Sequence, residues 1–334
     1  MSKYLVAPLN WGLGHASRCV PLIQRFLDEG HEVILGGDGE SLTLLRRQFP
    51  KLRYTYLAPL RLRYSASRRQ VWAMLKALPK LIAWAYKDHA MLQALLREEK
   101  IDRVVSDNRF GLYADGVETV YITHQLHILL PSPWRWLEPL AARLHARIYA
   151  RYNKVWVPDY EEPEKSLAGD LSHIKGQRDK GQCTVSYIGP LSRFSLTAQR
   201  SYSETVLQRS GLTAQRSYTI VAVLSGLEPQ RTLLEKELLA RYRGGEQRVL
   251  LVQGLLNRPA TRIKRGNITI VPSMTDSELV PALLGAQHII ARSGYSTIMD
   301  LETLGLIQKA ELIPTPGQPE QEYLAFWTEK RTSK

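Results

Sequence analysis

Cysteine is scarce in this 334-residue chain: Cys19 and Cys183 are the only two, far apart and without CxxC spacing. That excludes a disulfide framework and a cysteine-based zinc site, and it suits a reducing compartment. Long apolar runs are missing as well, and none approaches the ~20 residues of a bilayer-spanning helix. The opening residues Met1–Ala7 enter a strand pattern at once and lack the apolar core of a secretory signal. A cytoplasmic protein is expected. Acidic residues are outnumbered, with 32 Asp and Glu against 45 Lys and Arg, a net charge of +13. Such an excess favours nucleic acid, an anionic bilayer or phosphorylated ligands. No zinc finger or RNA-recognition signature accompanies it, so nucleic acid ranks last. Nor is there a paired-carboxylate or Asp-x-Asp pattern that would demand a divalent ion. No metal and no cofactor are expected.

What the chain does have is the composition of a soluble globular protein, 44% hydrophobic and 23% charged. Its length allows two domains. Strand and helix patterns alternate. Tyr4–Leu9, His31–Gly36, Tyr54–Leu57, Ile101–Ser106, Thr119–Thr123, Val155–Pro158 and Val185–Ile188 read as strands. Ser17–Glu29, Val71–Lys100 and Pro139–Tyr152 read as helical. A second series has strands at Tyr218–Leu224, Val249–Gln253, Ile268–Val271, His288–Ala291 and Ala310–Ile313, with helices at Leu233–Arg243 and Ser277–Leu284. The expected class is α/β, two doubly wound Rossmann-like domains over 1–191 and 218–334. Residues 192–217 form the linker; Leu-Thr-Ala-Gln-Arg-Ser-Tyr occurs there twice, at 196–202 and 212–218, a duplication too short for a repeat architecture. Ligands of such folds lie beyond the carboxyl ends of the strands.

Polar motifs fall at those ends. Asn10-Trp11-Gly12-Leu13-Gly14-His15 follows the first strand, with glycines for close approach and His15 at a helix start. A helix N-terminus disfavours the protonated imidazole, so His15 is a candidate base; a helix-capping histidine is the plainer alternative. Ser106-Asp107-Asn108-Arg109 and Thr123-His124-Gln125 end two further strands, making Asp107 and His124 the next candidates, or a loop ion pair and a structural histidine. In the second half Ser225, Gly226 and Arg231 could meet a diphosphate, and a base could be read near Met274. Arg292-Ser293-Gly294 leads into a helix whose free N–H groups suit a phosphate. Asp300 lies about two turns in, where a carboxylate can reach ribose hydroxyls. Gln318, Glu320 and Gln321, in a proline-rich loop, offer hydrogen bonds to a sugar.

Taken together these motifs resemble the GT-B glycosyltransferases, most nearly the MurG-like group of the glycosyltransferase family 28 type, which transfers N-acetylglucosamine from UDP. Gly12–His15 matches the Gly-His turn of that group, and Thr123-His124-Gln125 its His-Glu-Gln segment. Arg292, Ser293, Gly294, Thr297 and Asp300 match its donor motif, with Asp for the usual Glu; Gln318–Gln321 match its Gln-rich loop. The resemblance implies an inverting, metal-independent transfer of a sugar, an N-acetylhexosamine by the nearest group, from a UDP-sugar. With the strand-end residues read above, the expected donor contacts are Gly14, Ser225, Gly226, Arg231, Met274, Arg292, Ser293, Gly294, Thr297, Asp300, Gln318, Glu320 and Gln321. The resemblance does not name the acceptor, for which a lipid-linked molecule is one class. The chain ends soon after Tyr323, leaving little for the family's returning C-terminal helix. A UDP-N-acetylglucosamine 2-epimerase and a non-catalytic nucleotide-sugar or lipid binder remain alternatives.

Two segments combine basic and aromatic residues: Arg61–Arg69 with Trp72, Lys76, Lys80 and Trp84, and Trp134-Arg135-Trp136 followed by Arg143, Arg147 and Arg151. They suit the headgroups of an anionic membrane, placing the protein on the inner face as a peripheral partner; a solvated basic face over buried tryptophans is the alternative.

Overall fold

The computed structural model describes residues 1–60, 70–132, 134–173, 183–195, 218–226, 228–259 and 261–333, the side chains of 70–76 excepted. Short apolar runs become buried strands. Leu5–Ala7, Val104–Val105, Val120–Ile122, Val249–Val252 and Ile289–Ala291 are almost wholly covered, as expected of parallel strands packed on both faces.

The first sheet contains β1 (Lys3–Pro8), β2 (Glu32–Gly37), β3 (Arg53–Tyr56), β4 (Arg103–Asp107), β5 (Glu118–Ile122), β6 (Lys154–Val157) and β7 (Thr184–Tyr187). Its order is β3-β2-β1-β4-β5-β6-β7, and every pairing is parallel. The second contains β8 (Ile220–Val223), β9 (Val249–Val252), β10 (Ile263–Arg265), β11 (Ile268–Val271), β12 (His288–Arg292) and β13 (Ala310–Ile313). Its order is β10-β11-β9-β8-β12-β13, parallel except for the short antiparallel β10, which periodicity does not show. Both sheets are Rossmann-like, the class read from the sequence.

Helix α1 (Gly14–Asp28) turns Ala16, Cys19, Val20, Ile23 and Phe26 inward. It is followed by α2 (Gly39–Gln48), α3 (Gln70–Glu98) and α4 (Glu138–Tyr149). The second half carries α5 (Gln230–Tyr242), α6 (Asp276–Gly285), α7 (Tyr295–Thr303) and α8 (Pro319–Thr332). Helix α6 opens on a capping box between Thr275 and Glu278, which satisfies two end groups.

The two halves share a core. Tyr295, Ile298 and Met299 of α7 and Leu324 of α8 join Val6, Val20, Ile122 and Leu167 in one buried cluster. Helix α8 overturns the expectation that too little chain remains to return to the first half. Tyr323 Oη accepts from the Asp170 amide (2.8 Å), and Trp327 Nε1 donates to Ser166 O (3.0 Å). A run with both Glu and aromatic residues after Pro319 had room for nearly four turns. The start of the expected linker is likewise docked rather than free: Phe194 is buried in the core of the second sheet, beside Val221 and Leu301. The duplicated segment within 196–217 lies outside the described residues.

Candidate functional site

Strand β4 delivers Asp107 to a fully buried position at its carboxyl end, across from the first turn of α1. His15 Nδ1 lies 2.7 Å from Asp107 Oδ1. Arg18, one helical turn beyond His15 and itself buried, grips both carboxylate oxygens of Asp107. Burial pushes the Asp107 carboxyl up, but the Arg18 charge and the bond from His15 outweigh it and hold it down at about 2. Asp107 is therefore an anion that accepts from Nδ1–H, which leaves His15 Nε2 with its lone pair. Asp107 was also a candidate base; it is not one, because it is enclosed and its oxygens are already engaged.

The network continues into the second half. Arg18 Nη1 donates to His124 Nδ1 (3.2 Å), and His124 Nε2–H donates to Glu320 Oε1 (2.8 Å). Burial, together with the Arg18 charge, keeps His124 below the usual imidazole value, although Glu320 opposes this. With both nitrogens committed, neutral His124 has no lone pair for a substrate, which corrects its candidacy as a base. Its ring stacks on Tyr295 at 4.1 Å between centroids, and Tyr295 Oη donates to Pro158 O (2.7 Å). The N-termini of α1 and α7 thus face each other. A Cβ on Gly14 would stand 2.7 Å from Ser296 Oγ, so this glycine permits the close approach. Two helix N-termini open together here, an arrangement that favours an anion such as a diphosphate.

No protein-family model matches the chain. It is similar to an uncharacterized glycosyltransferase of Methanosarcina acetivorans, 24% identical over 96% of this chain and 81% of that protein. Another from Methanosarcina mazei is 22% identical over the same shares. Among solved structures, UGT2 of Phytolacca americana, complexed with UDP-2-fluoro-glucose and pterostilbene, superposes with a TM-score of 0.56. It shares 15% identity and is covered over 99% of this chain and 84% of its own. The glycosyltransferase SnogD of Streptomyces nogalater gives 0.53 at 13% identity, covering 100% and 95%. The fold is GT-B.

In the GT-B frame the remaining candidates divide. Ser225 and Gly226 form the turn after β8, with Gly226 at φ 98° and no neighbour within 4 Å of its would-be Cβ. Gly294 is the N-cap of α7 and Thr297 lies in its first turn, with no side chain capping that end. Gln318 occupies the N-cap position of α8 without a side-chain cap bond. Asp300 is mostly enclosed and accepts from Ser192 Oγ (2.6 Å), with Arg193 Nε 3.9 Å away. Burial, opposed by Arg193 and Ser192, raises its carboxyl to about 6.

Five residues have other duties. Arg231 is not offered to a diphosphate, because Glu228, Glu235 and Thr232 take its donors. Arg292 reaches backwards to Pro314 O (2.9 Å) and Gln230 O (2.9 Å), tying loop to sheet. Ser293 Oγ donates to Gln321 O (2.8 Å), while Gln321 Oε1 accepts from the Thr315 amide (2.9 Å). These two hold the loop after β13 in shape, and Glu320 at its end accepts from His124. Met274, partly buried, packs against the core of the second sheet. Arg18, Tyr295 and Ser296 were not singled out from sequence. Arg18 had a signal: it is a cation inside the apolar stripe of α1, three residues after His15.

Proposed function

We propose that this chain is a glycosyltransferase that moves a sugar from a UDP-sugar to an acceptor hydroxyl, with inversion and without a metal ion. The observation that carries it is the His15–Asp107 contact of 2.7 Å at the mouth of two opposed helix N-termini. His15 Nε2 takes the proton of the acceptor hydroxyl, and Asp107 steadies the imidazolium that results. The acceptor oxygen attacks the anomeric carbon from the face opposite the nucleotide, so configuration inverts. Charge building on the departing diphosphate is met by the N–H groups opening α7. Glycosyltransferase relatives and a neighbour solved with UDP-2-fluoro-glucose support the nucleotide-sugar donor. The Arg292–Asp300 motif supports an N-acetylhexosamine, the donor of the MurG-like group.

We also propose that the protein meets its acceptor at an anionic membrane surface. Among the described residues no helix is long and apolar enough to cross a membrane. On α4, however, Leu140 and Leu144 are exposed beside Arg143 and Arg147, following Trp136 at 73% exposure. On α3, Leu78, Ile82 and Tyr86 repeat at four-residue spacing, also exposed. Apolar rows with cations beside them fit a headgroup region. One expected member of this surface is excluded: Trp84 is buried and donates Nε1 to Ala58 O (2.8 Å). Arg151 stays exposed while its Nη1 donates to Tyr113 Oη (3.1 Å). Residues 61–69 and the side chains of Trp72 and Lys76 lie outside the described residues.

The test is UDP release from a panel of UDP-, GDP- and dTDP-sugars, with binding read by thermal shift. A shift and slow UDP release with a UDP-sugar, lost in His15→Ala while UDP still binds, is the expected result. No shift with any nucleotide sugar defeats the donor assignment; undiminished release by His15→Ala removes that residue from the mechanism.

A further inference from the structure

The turn that follows β4 is pinned from three elements, and only one of its residues belongs to the site described above. Asn108, directly after Asp107, has φ 62° and is the one non-glycine residue with positive φ among those described. Side chains with a Cβ rarely adopt this left-handed conformation, and Asn is among the few that tolerate it. Its carboxamide is held: Tyr121 Oη, on the neighbouring strand β5, donates to Asn108 Oδ1 (2.6 Å). The Tyr121 ring is wholly buried. His145 on α4 lies behind it, Nε2 3.3 Å from Tyr121 Oη. Burial holds the His145 imidazole down to about 4, so at neutral pH it is uncharged and donates Nε2–H to the phenol oxygen. The flanks are fixed as well. Ser106 Oγ donates to Arg109 O (2.7 Å), and Tyr152 Oη donates to the same oxygen (2.6 Å).

A backbone held this firmly in a disfavoured region needs a reason, and the reason lies one residue away. Asp107 must aim Oδ1 at His15 Nδ1 while Arg18 pulls on both oxygens. Pairing with β1 and β5 sets the backbone before and at Asp107. The direction in which the chain leaves Asp107 is set by Asn108. We propose that Asn108 and Tyr121 are positioning residues for the His15–Asp107 pair: the left-handed turn, fastened through the Asn108 carboxamide to the Tyr121 hydroxyl, aims the carboxylate at the imidazole. Neither residue touches the reacting atoms. The claim presupposes the His15–Asp107 chemistry proposed above, and the experiment separates the two.

The full chain is labelled with ¹⁵N-histidine, and the His15 Nδ1–H resonance is assigned with His15→Asn. Tyr121→Phe, Asn108→Ala and Asn108→Gly are then compared with wild type, by that resonance and by kcat and KM for UDP release from UDP-N-acetylglucosamine. Tyr121→Phe and Asn108→Ala are expected to lose the Nδ1–H signal to solvent exchange and to lower kcat at least tenfold, with KM within twofold. Asn108→Gly, free to take the left-handed turn, is expected to retain more turnover than Asn108→Ala. An unchanged His15 signal with unchanged kcat in Tyr121→Phe and Asn108→Ala overturns the proposal. So do equal losses in Asn108→Ala and Asn108→Gly, the comparison that decides should Tyr121→Phe not fold. If wild type releases no UDP from any sugar nucleotide, the catalytic reading fails, and the resonance alone decides the positioning.

Discussion

Asp300→Asn is expected to make the protein more stable at pH 8 and worse at holding its donor. The wild-type carboxyl is raised from the ordinary 3.8 to about 6, chiefly by burial, with Arg193 and Ser192 only partly offsetting it. A carboxyl whose folded value lies above its unfolded one stabilises the fold fully at low pH and loses that contribution as pH rises through the folded value. The loss therefore runs from about pH 4 to just above 6. At about 1.4 kcal/mol per pH unit, the ionised Asp300 leaves the fold roughly 3 kcal/mol less stable at pH 8 than a neutral group there would. With ~2–4 °C per kcal/mol for domains of this size, the variant is expected to melt roughly 6–12 °C higher at pH 8. An Asn still accepts from Ser192 Oγ, so the 2.6 Å contact survives. Melting curves of both proteins between pH 4 and 8 read the effect, and UDP titration reads the cost, expected to be about tenfold in affinity on the proposal that the Asp300 carboxylate accepts from the ribose. Parallel pH dependence in the two proteins refutes the stability argument. Unchanged UDP affinity refutes the ribose contact.

Asp107→Asn is expected to act in the opposite direction. The carboxylate's depressed value, about 2, stabilises the fold above about pH 4 and is lost as pH falls towards 2. Its removal strands buried Arg18, at a cost of roughly 3–5 kcal/mol. It also permits the wrong His15 tautomer, so UDP release is expected to fall about 10³-fold or more. A variant with wild-type melting and turnover contradicts both. Gly14→Val is expected to force α1 and α7 apart, since even a Cβ would stand 2.7 Å from Ser296 Oγ. The donor KM should rise about tenfold, and Ser296→Gly should recover most of it by vacating the space. No recovery in the double variant means that the strain falls elsewhere.

Fold class and the order of the parallel strands were legible because buried parallel strands are short apolar runs between helical periods, as at Val104–Val105 and Ile289–Ala291. β10 was not, because Ile263–Arg265 is an exposed edge strand with no periodic signature. His15 and Asp107 were both legible as strand-end polar residues. Their partnership was not, since 92 residues separate them and only the β1–β4 pairing brings them together. Arg231 and Arg292 were misread for a related reason. A cation in a phosphate-like turn looks available until Glu228, Glu235 or a backbone carbonyl is found to hold it. Sequence shows which groups stand near a ligand site; it does not show which of them already have partners.

The apolar cluster that Tyr295, Ile298, Met299 and Leu324 share with the first sheet bears on how this protein can be recombined. The halves of such a chain invite chimaeras, exchanging one donor-binding half for another to change sugar choice. Here the seam between the halves is not a polar surface that any partner can meet. A transplanted second half must present the same four apolar side chains to Val20 and Leu167, and an aromatic pair to Gly169 and Ser166. Exchange would have to carry α1 and residues 158–171 with it. The practical unit of inheritance is then the seam, not the domain.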